Sequence, residues 1–234
     1  MILQNFFGVD TIFFTVLNYP MSYIEFFGTI FTGWSVYLAA KNKVITWPVG
    51  LIGIILYGFL FYQIHLYSDL LEQVYYFITT FWGWSLWLKP KTVSDIDTES
   101  QELKVGVLNK STYLPWGIAI TLLTFALGLL MSNIHLLLPA YFPVPASFAY
   151  LDSFTTILSF VATIFLAQRK IENWHLWILV DIIGIWLYYQ KGVAFLSLLY
   201  LAFLINAFYG LSKWNKVLGK YESKIYKSFY RLRV

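Results

Sequence analysis

Trp174, Trp177, Asp181 and Tyr188 follow one another at steps of three, four and seven residues, which places them on a single face of a helix. A carboxylate framed by aromatic rings can hold a cation or accept hydrogen bonds from hydroxyls. Asp181 stands in the middle of an apolar run, and a charge there points to a cavity or a partner rather than to lipid. A second run, 67–88, carries Glu72, Gln73, Tyr76 and Thr79 ahead of the cluster Trp82-Gly83-Trp84-Ser85-Leu86-Trp87. Gln73 offers a donor and an acceptor together, which suits a carboxamide or a sugar, and an interhelical hydrogen bond is its plainer explanation. Asn206 supplies a second amide in the last apolar run. Trp174 and the 82–87 cluster lie near run ends and fit an interfacial belt as well as a binding cage. Taken together, these rings, amides and carboxylates suit the passage of a small, polar, flat molecule that could carry a positive charge.

The elements that position them are membrane helices. The chain has 234 residues, 59% hydrophobic and 12% charged, against about half apolar and about a quarter charged in soluble proteins. Its 21 phenylalanines, 18 tyrosines and 10 tryptophans exceed what a lipid-facing surface needs and suggest interfacial belts or a ring-lined cavity. Seven predominantly apolar stretches stand out at 22–40, 44–64, 67–88, 113–138, 147–167, 172–190 and 193–212, each about long enough to span a bilayer of roughly 20 residues. Ser22 and Glu25 form the Ser-x-x-Glu pattern of a capping box at the first start. Residues 1–19 are broken by Asn5, Gly8 and Asp10, lack a basic leader, and read as an interfacial helix rather than an eighth span.

Catalytic chemistry has little foothold. Cysteine is absent, and His65, His135 and His175 are too dispersed to show metal-ligand spacing. There is no Walker loop, His-Glu-x-x-His or Gly-x-Ser-x-Gly, and no lysine in the middle of the seventh stretch to carry a retinal Schiff base. No catalytic residue, metal or cofactor is expected, and the reading is of a non-enzyme.

Basic residues orient the spans. Lys41, Lys43, Lys89, Lys91, Lys104, Lys110, Arg169, Lys170 and the tail residues Lys213, Lys216, Lys220, Lys224, Lys227, Arg231 and Arg233 fall on one side, and Lys191 alone on the other. The positive-inside rule then puts the N-terminus outside and the C-terminus inside. The formal charge of +4 is an orientation signal on a lipid-bilayer protein, and a nucleic-acid partner is not expected. The tail, with Trp214, Val217, Leu218, Tyr221, Ile225 and Phe229 between its lysines, reads as an amphipathic helix on the anionic inner leaflet.

Shifting the chain by 127 residues aligns 23–87 with 150–214 without a gap. Tyr23 meets Tyr150, Lys43 meets Lys170, Trp47 meets Trp174, Tyr62-Gln63 meets Tyr189-Gln190, Gly83 meets Gly210 and Trp87 meets Trp214. Matches of tryptophan, glutamine and glycine are not the leucine-on-isoleucine pairings of chance. Gln73 meets Tyr200 instead of an amide, so the two halves differ where an asymmetric ligand would lie. Four crossings separate the two starts, which makes the repeats parallel and puts a site at their interface near the midplane. The expected architecture is an all-α integral membrane protein of seven transmembrane helices, two parallel three-helix repeats joined by a linker helix (3+1+3). Its parts are an N-terminal segment 1–21, a first bundle 22–88, a linker and linker helix 89–146, a second bundle 147–212 and a basic tail 213–234.

The strings Thr46-Trp47-Pro48-Val49-Gly50-Leu51-Ile52 and Leu66-Tyr67-Ser68-Asp69-Leu70-Leu71-Glu72-Gln73-Val74-Tyr75, then Gly83-Trp84 with Trp87, resemble the first half of PnuC-type nicotinamide riboside transporters. Trp174-His175-Leu176-Trp177 with Asp181, and Gly210 with Trp214, are similar to the second. The resemblance runs from Tyr23 to Trp214. It implies a bacterial inner-membrane protein of SWEET-like fold that carries nicotinamide riboside by facilitated diffusion. It also implies trapping by a cytoplasmic nicotinamide riboside kinase, with a homotrimer as candidate assembly. On this substrate Trp47, Trp174 or Trp177 would stack on the pyridinium, and Gln73 and Asn206 would read the carboxamide. Asp181 with Tyr76 or Tyr188 would bind ribose hydroxyls or balance the cation. Glu72 departs from the family pattern, which more often has an apolar residue there. A thiamine or sugar carrier of the same fold is the alternative, and a heptahelical receptor is disfavoured by the duplication.

Overall fold

The computed structural model describes residues 7–16, 19–63, 67–88, 104–190 and 194–231. Seven α-helices are described: α1 Tyr23–Ala40, α2 Thr46–Gln63, α3 Tyr67–Leu88, α4 Tyr113–Leu137, α5 Ala149–Ala167, α6 Glu172–Gln190 and α7 Ala194–Arg231. A 3-10 turn, Lys110–Thr112, leads into α4. Apart from the end of α7, these limits lie within a few residues of the apolar stretches, as a mostly helical membrane protein requires. By length and composition alone, three of the described helices are apolar enough to cross a membrane: α2, α4 with its leading turn, and α5. Glu72 and Gln73 in α3, Asp181 in α6 and the charged second half of α7 work against such a measure in the others.

Before α1 the described chain forms strands. β1 (Ile12–Val16) and β2 (Tyr19–Ser22) pair antiparallel, with Phe14 opposite Met21 and Val16 opposite Tyr19. This corrects the interfacial helix expected over 1–19, of which residues 1–6 and 17–18 lie outside the described set. Ile12-Phe13-Phe14-Thr15-Val16 is a run of β-branched and aromatic residues, and Pro20 opposes helix in the facing segment. Ser22 then caps α1, accepting from the Glu25 amide at 3.3 Å. Glu25 itself accepts from the Tyr19 hydroxyl at 2.7 Å. Burial, together with that bond, pushes the Tyr19 hydroxyl up to about 12. Gln63 ties the chain ahead of the hairpin to the end of α2, donating to the Phe7 carbonyl at 2.7 Å and accepting from the Val9 amide at 3.1 Å.

The turns after α1 and α5 share one construction. Asn42 (φ 54°) and Arg169 (φ 55°) are both left-handed, and both stand where a Schellman motif needs that conformation. The Asn42 and Lys43 amides donate to Ala39 and Leu38, and the Arg169 and Lys170 amides to Leu166 and Phe165. Each pair of bonds maps onto the other under the shift of 127.

The largest buried side chains meet beside these turns. Trp47 and Trp87 pack edge to face, centroids 5.4 Å apart at 88°, and Trp174 and Trp214 do the same at 5.5 Å and 89°. The Trp87 and Trp214 rings then meet at 6.4 Å, and all four indoles are at most 4% exposed. The Trp87 indole donates to the Ala167 carbonyl at 3.0 Å, and the Trp214 indole to the Ala39 carbonyl at 3.1 Å. Both acceptors are among the last carbonyls of a helix, and the Ala39 carbonyl also accepts the Asn42 amide of the turn at 2.8 Å. Gly83 and Gly210 make room, since a β-carbon on either would overlap the ring of Trp47 or Trp174.

Around this cluster α1 packs on α2 and α2 on α3, while α5 packs on α6 and α6 on α7. Two contacts cross between the sets, α3 with α5 and α7 with α1, and α4 lies along α5. The shift of 127 exchanges the two crossing contacts. The chain before α4 is tied to the α5–α6 turn: the Gly106 amide donates to Arg169 and the Ile171 amide to Gly106, each at 3.0 Å. Glu172 accepts from the Leu108 amide at 2.9 Å and the Tyr113 hydroxyl at 2.7 Å, and Val105 is buried against the indoles. The earlier part of the expected linker, 89–103, lies outside the described residues. The tail is not a separate helix, because α7 runs unbroken through 38 residues to Arg231, a length of about 57 Å at 1.5 Å per residue.

The glycine contacts set an expectation. Gly83→Ala and Gly210→Ala should each cost about 1–3 kcal/mol through overpacking. Gly33→Ala and Gly117→Ala, with nothing within 4 Å of the added carbon, should be neutral or better. Melting temperatures of the detergent-solubilised protein check this, and equal values for the two pairs would refute the packing account.

Candidate functional site

The α6 face forms as its spacing requires. Trp174 and Asp181 are buried, and Trp177 and Tyr188 are partly so. The four separate by depth, however. Trp174, like Trp47 from α2, lies in the closed indole cluster, and Trp177 packs at its margin. Asp181 and Tyr188 lie farther along the helix, against α7.

Tyr200 of α7 joins this second group. Its ring stacks on Tyr188 with centroids 5.1 Å apart at 27°, and the two hydroxyls are hydrogen-bonded. The hydroxyls of Tyr76 and Tyr188 and the Asp181 carboxylate all lie within electrostatic reach of it. Gly184, one turn from Asp181, permits the arrangement, since a β-carbon there would overlap the Tyr200 ring. Three helices thus converge on one hydroxyl, α3 through Tyr76, α6 through Asp181 and Tyr188, and α7 through Tyr200.

On α3, Glu72 and Gln73 stand one turn before Tyr76 and share its face. The Thr156 hydroxyl of α5 donates to Glu72 Oε1 at 3.0 Å, and Ser159 is in hydrogen-bond contact with Tyr76. Tyr75 donates to the Phe160 carbonyl at 2.8 Å, and its ring stacks on Phe160 at 4.0 Å. Asn206 is partly buried one turn before Gly210 and shows no contact with the Tyr200 group.

The polar side chains fall into two kinds. Thr46 and Ser35 exchange bonds at 2.7 and 2.9 Å, Thr163 donates to Ser159, and Ser197 donates to Ile185. Those bonds hold the bundle. Gln73, Asp181 and Asn206 make no hydrogen bond or ion pair among the described residues. Asp181 is buried, whereas Gln73 and Asn206 are partly buried, and a buried polar group without an internal partner is expensive to keep.

Tyr200 and Gly184 were not singled out by motif or face. Their signal is in the repeat: Tyr200 stands opposite Gln73, and Gly184 opposite Tyr57. A glycine exchanged for a tyrosine at matching positions shows where the halves hold different space.

A bundle of apolar helices with two unpaired amides and one buried carboxylate is the build of a multi-pass membrane protein. Residues 22–216 match the family described as nicotinamide mononucleotide transporter. The nicotinamide riboside transporter PnuC of Escherichia coli K12 is 29% identical over 233 residues, covering 90% of this chain and 94% of that protein. The nicotinamide riboside transporter PnuC of Neisseria mucosa is 26% identical over 229 residues, covering 95% and 82%. A crystal structure of the vitamin B3 transporter PnuC superposes with a TM-score of 0.63 at 25% identity, covering 82% of this chain and 80% of that one. The chain belongs to the nicotinamide mononucleotide transporter family.

Groups reserved for a ligand contribute nothing to the empty fold. Asp181→Asn and Asn206→Leu should therefore hold or raise the melting temperature without ligand. Thr46→Val, which removes the hydroxyl bonded to the Ser35 carbonyl, should lower stability by about 1 kcal/mol. Loss of stability in the first two variants, measured beside the third, would make them structural residues.

Proposed function

We propose that this protein carries nicotinamide riboside across the bacterial inner membrane by facilitated diffusion, and that phosphorylation by a cytoplasmic kinase traps the product. The observation that carries the reading is the buried Asp181 with the part-buried amides Gln73 and Asn206, none of which has a hydrogen-bond partner among the described residues, in a chain of this family. The substrate matches them in kind. It has a flat cationic pyridinium, a carboxamide that donates and accepts, and a ribose rich in hydroxyls. Trp177, only partly buried beside Asp181's helical face, has surface to offer the pyridinium, and Trp47 and Trp174 form the wall behind it. Gln73 and Asn206 pair with the carboxamide. Asp181, Tyr76, Tyr188 and Tyr200 meet the ribose or balance the charge.

The same reading takes the helices as parallel 3+1+3 repeats, with the N-terminus outside and the C-terminus inside. The matched Schellman turns, matched edge-to-face tryptophan pairs and exchanged crossing contacts support the repeat. The lysines and arginines at both matched turns support the orientation.

Purified protein in liposomes tests the proposal. Labelled nicotinamide riboside should equilibrate without any ion gradient and accumulate beyond equilibrium only when a kinase and ATP are enclosed. Unlabelled thiamine should not compete. Asp181→Asn and Gln73→Ala should each reduce uptake about tenfold or more at normal membrane levels, as expected for loss of a desolvated polar partner. Uptake that requires an imposed ion gradient, or wild-type rates in both variants, would overturn it.

A further inference from the structure

We propose that the seam between α1 and α7 holds one anionic phospholipid, its phosphate between Lys41 and Lys213 and its acyl chains along the apolar faces beneath them. The site stands whatever solute the protein carries.

Tyr37 of α1 and Tyr209 of α7 stack across the seam, their planes within 14° and their centroids 6.0 Å apart. Each ring carries a lysine from one turn further along. The Lys41 ammonium stands 4.5 Å from the Tyr37 centroid, and the Lys213 ammonium 5.5 Å from the Tyr209 centroid. Lys41 also lies within electrostatic reach of Tyr209. Beside them the Trp214 indole donates to the Ala39 carbonyl at 3.1 Å, which fixes the two helices side by side at this level. Two exposed cations are thereby set on one aromatic base. An ammonium carries three N–H donors, and an anion above the rings can accept from both lysines at once.

The chain on either side brings no acid. Residues 33–50 and 203–221 contain neither aspartate nor glutamate, and Lys216 adds a third cation one turn beyond Lys213. Neither Lys41 nor Lys213 makes an ion pair among the described residues.

Apolar surface continues from the same rings in the other direction. Trp34 and Ile30 stand three and seven residues before Tyr37, and Ile205, Leu201 and Leu198 four, eight and eleven before Tyr209, so each set shares the face of its tyrosine. All five side chains are exposed. Lysines, then aromatic rings, then two apolar stripes reproduce the order of a phospholipid from phosphate to acyl chain. A free phosphate would meet the lysines and leave the stripes unused.

The matching seam of α5 with α3 shows what joining the helices requires. Under the shift of 127, Tyr37 and Lys41 correspond to Ile164 and Gln168, and Tyr209 and Lys213 to Trp82 and Leu86. That seam closes through the Trp87 indole and the Ala167 carbonyl, as this one does through Trp214 and Ala39. It does so with no lysine at the four positions. The two lysines are therefore additional to helix packing, and orienting the spans requires basic residues near helix ends without requiring them paired on stacked rings. Because α1 and α7 belong to different sets of three helices, one bound lipid touches both.

Detergent-purified protein titrated with lipid and read by native mass spectrometry tests the site. Wild type should take up a first phosphatidylglycerol more tightly than a first phosphatidylcholine. Lys41→Gln and Lys213→Gln should each weaken phosphatidylglycerol about fivefold, the scale for one lysine at an anionic surface, and leave phosphatidylcholine unchanged. Lys110→Gln removes the same charge from an exposed lysine outside the seam and should leave both lipids unchanged. Glycerol phosphate, the water-soluble part of the headgroup, should not displace the lipid at equal concentration. Equal affinity of wild type for the two lipids overturns the proposal, as does undiminished phosphatidylglycerol binding in both seam variants. A loss in Lys110→Gln equal to theirs shows a response to net charge alone, and displacement by glycerol phosphate shows a free-anion site; each also overturns it. Absence of lipid together with crosslinking of Lys41 or Lys213 between copies assigns the seam to a second copy, with the same consequence.

Discussion

Close approach of two glycines to two indoles is the constraint on which the fold depends. Gly83 against Trp47 and Gly210 against Trp174 let α3 and α7 lie nearer their neighbours than any side chain would allow. That approach brings Trp87 and Trp214 onto the terminal carbonyls of α5 and α1. The Ala39 carbonyl takes the indole in addition to the Asn42 amide, so the indole N–H groups add a donor at each helix end and bind one set of three helices to the other. The arrangement has its own cost. The Trp47 and Trp174 indole N–H groups are buried without a partner among the described residues, and ring packing in the cluster must offset them.

The halves match most closely at the indole cluster and diverge away from it. Beside the cluster, side chains, turn conformations and backbone bonds all map across the 127-residue shift. Farther along the helices, Tyr57 gives way to Gly184, Gln73 to Tyr200 and Glu72 to Leu199. These exchanges are coupled by space. Removing the ring at 184 admits the ring at 200, and that ring meets Tyr188, Asp181 and Tyr76 together. Repeated packing at one end and coupled exchanges at the other let a single framework hold two unlike halves.

The period of the apolar runs made the helices legible, and the shift made the matched tryptophans and glycines legible, because both are properties of spacing. Ser22 as a cap was legible because its neighbour at Glu25 completes a local pattern. What the tryptophans touch was not. Trp47 and Trp174 look like stacking surfaces in a sequence, and only packing shows their rings enclosed by Trp87, Trp214 and two glycines. The hairpin over 12–22 was hidden because hydrophobicity without a clear period does not distinguish a strand from an interfacial helix. The length of α7 was hidden for a related reason: a change from apolar to amphipathic composition alters what surrounds a helix without interrupting it. Asp181 was legible as a mid-run charge, whereas Tyr200 needed the comparison of one half with the other.

A carrier that alternates access must part its halves, and the bonds here determine where parting is cheapest. The edge-to-face pairs Trp47–Trp87 and Trp174–Trp214 each lie within one set of three helices, so they survive a rigid movement of either set. At the cluster the bonds that cross are the Trp87 indole to Ala167, the Trp214 indole to Ala39, and the contact between the Trp87 and Trp214 rings; farther along, Tyr75 to the Phe160 carbonyl, Thr156 to Glu72 and the Tyr75–Phe160 stack join α3 to α5. At the cluster two hydrogen bonds contribute about 1 kcal/mol each in net terms and one ring contact about 0.5–1.5 kcal/mol, and the α3–α5 bonds and stack add a similar amount. A few kcal/mol is within what a ligand can shift through unequal affinity for two states. The strong indole packing is therefore spent on making each half rigid, and the weaker crossing bonds leave the junction between them free to change.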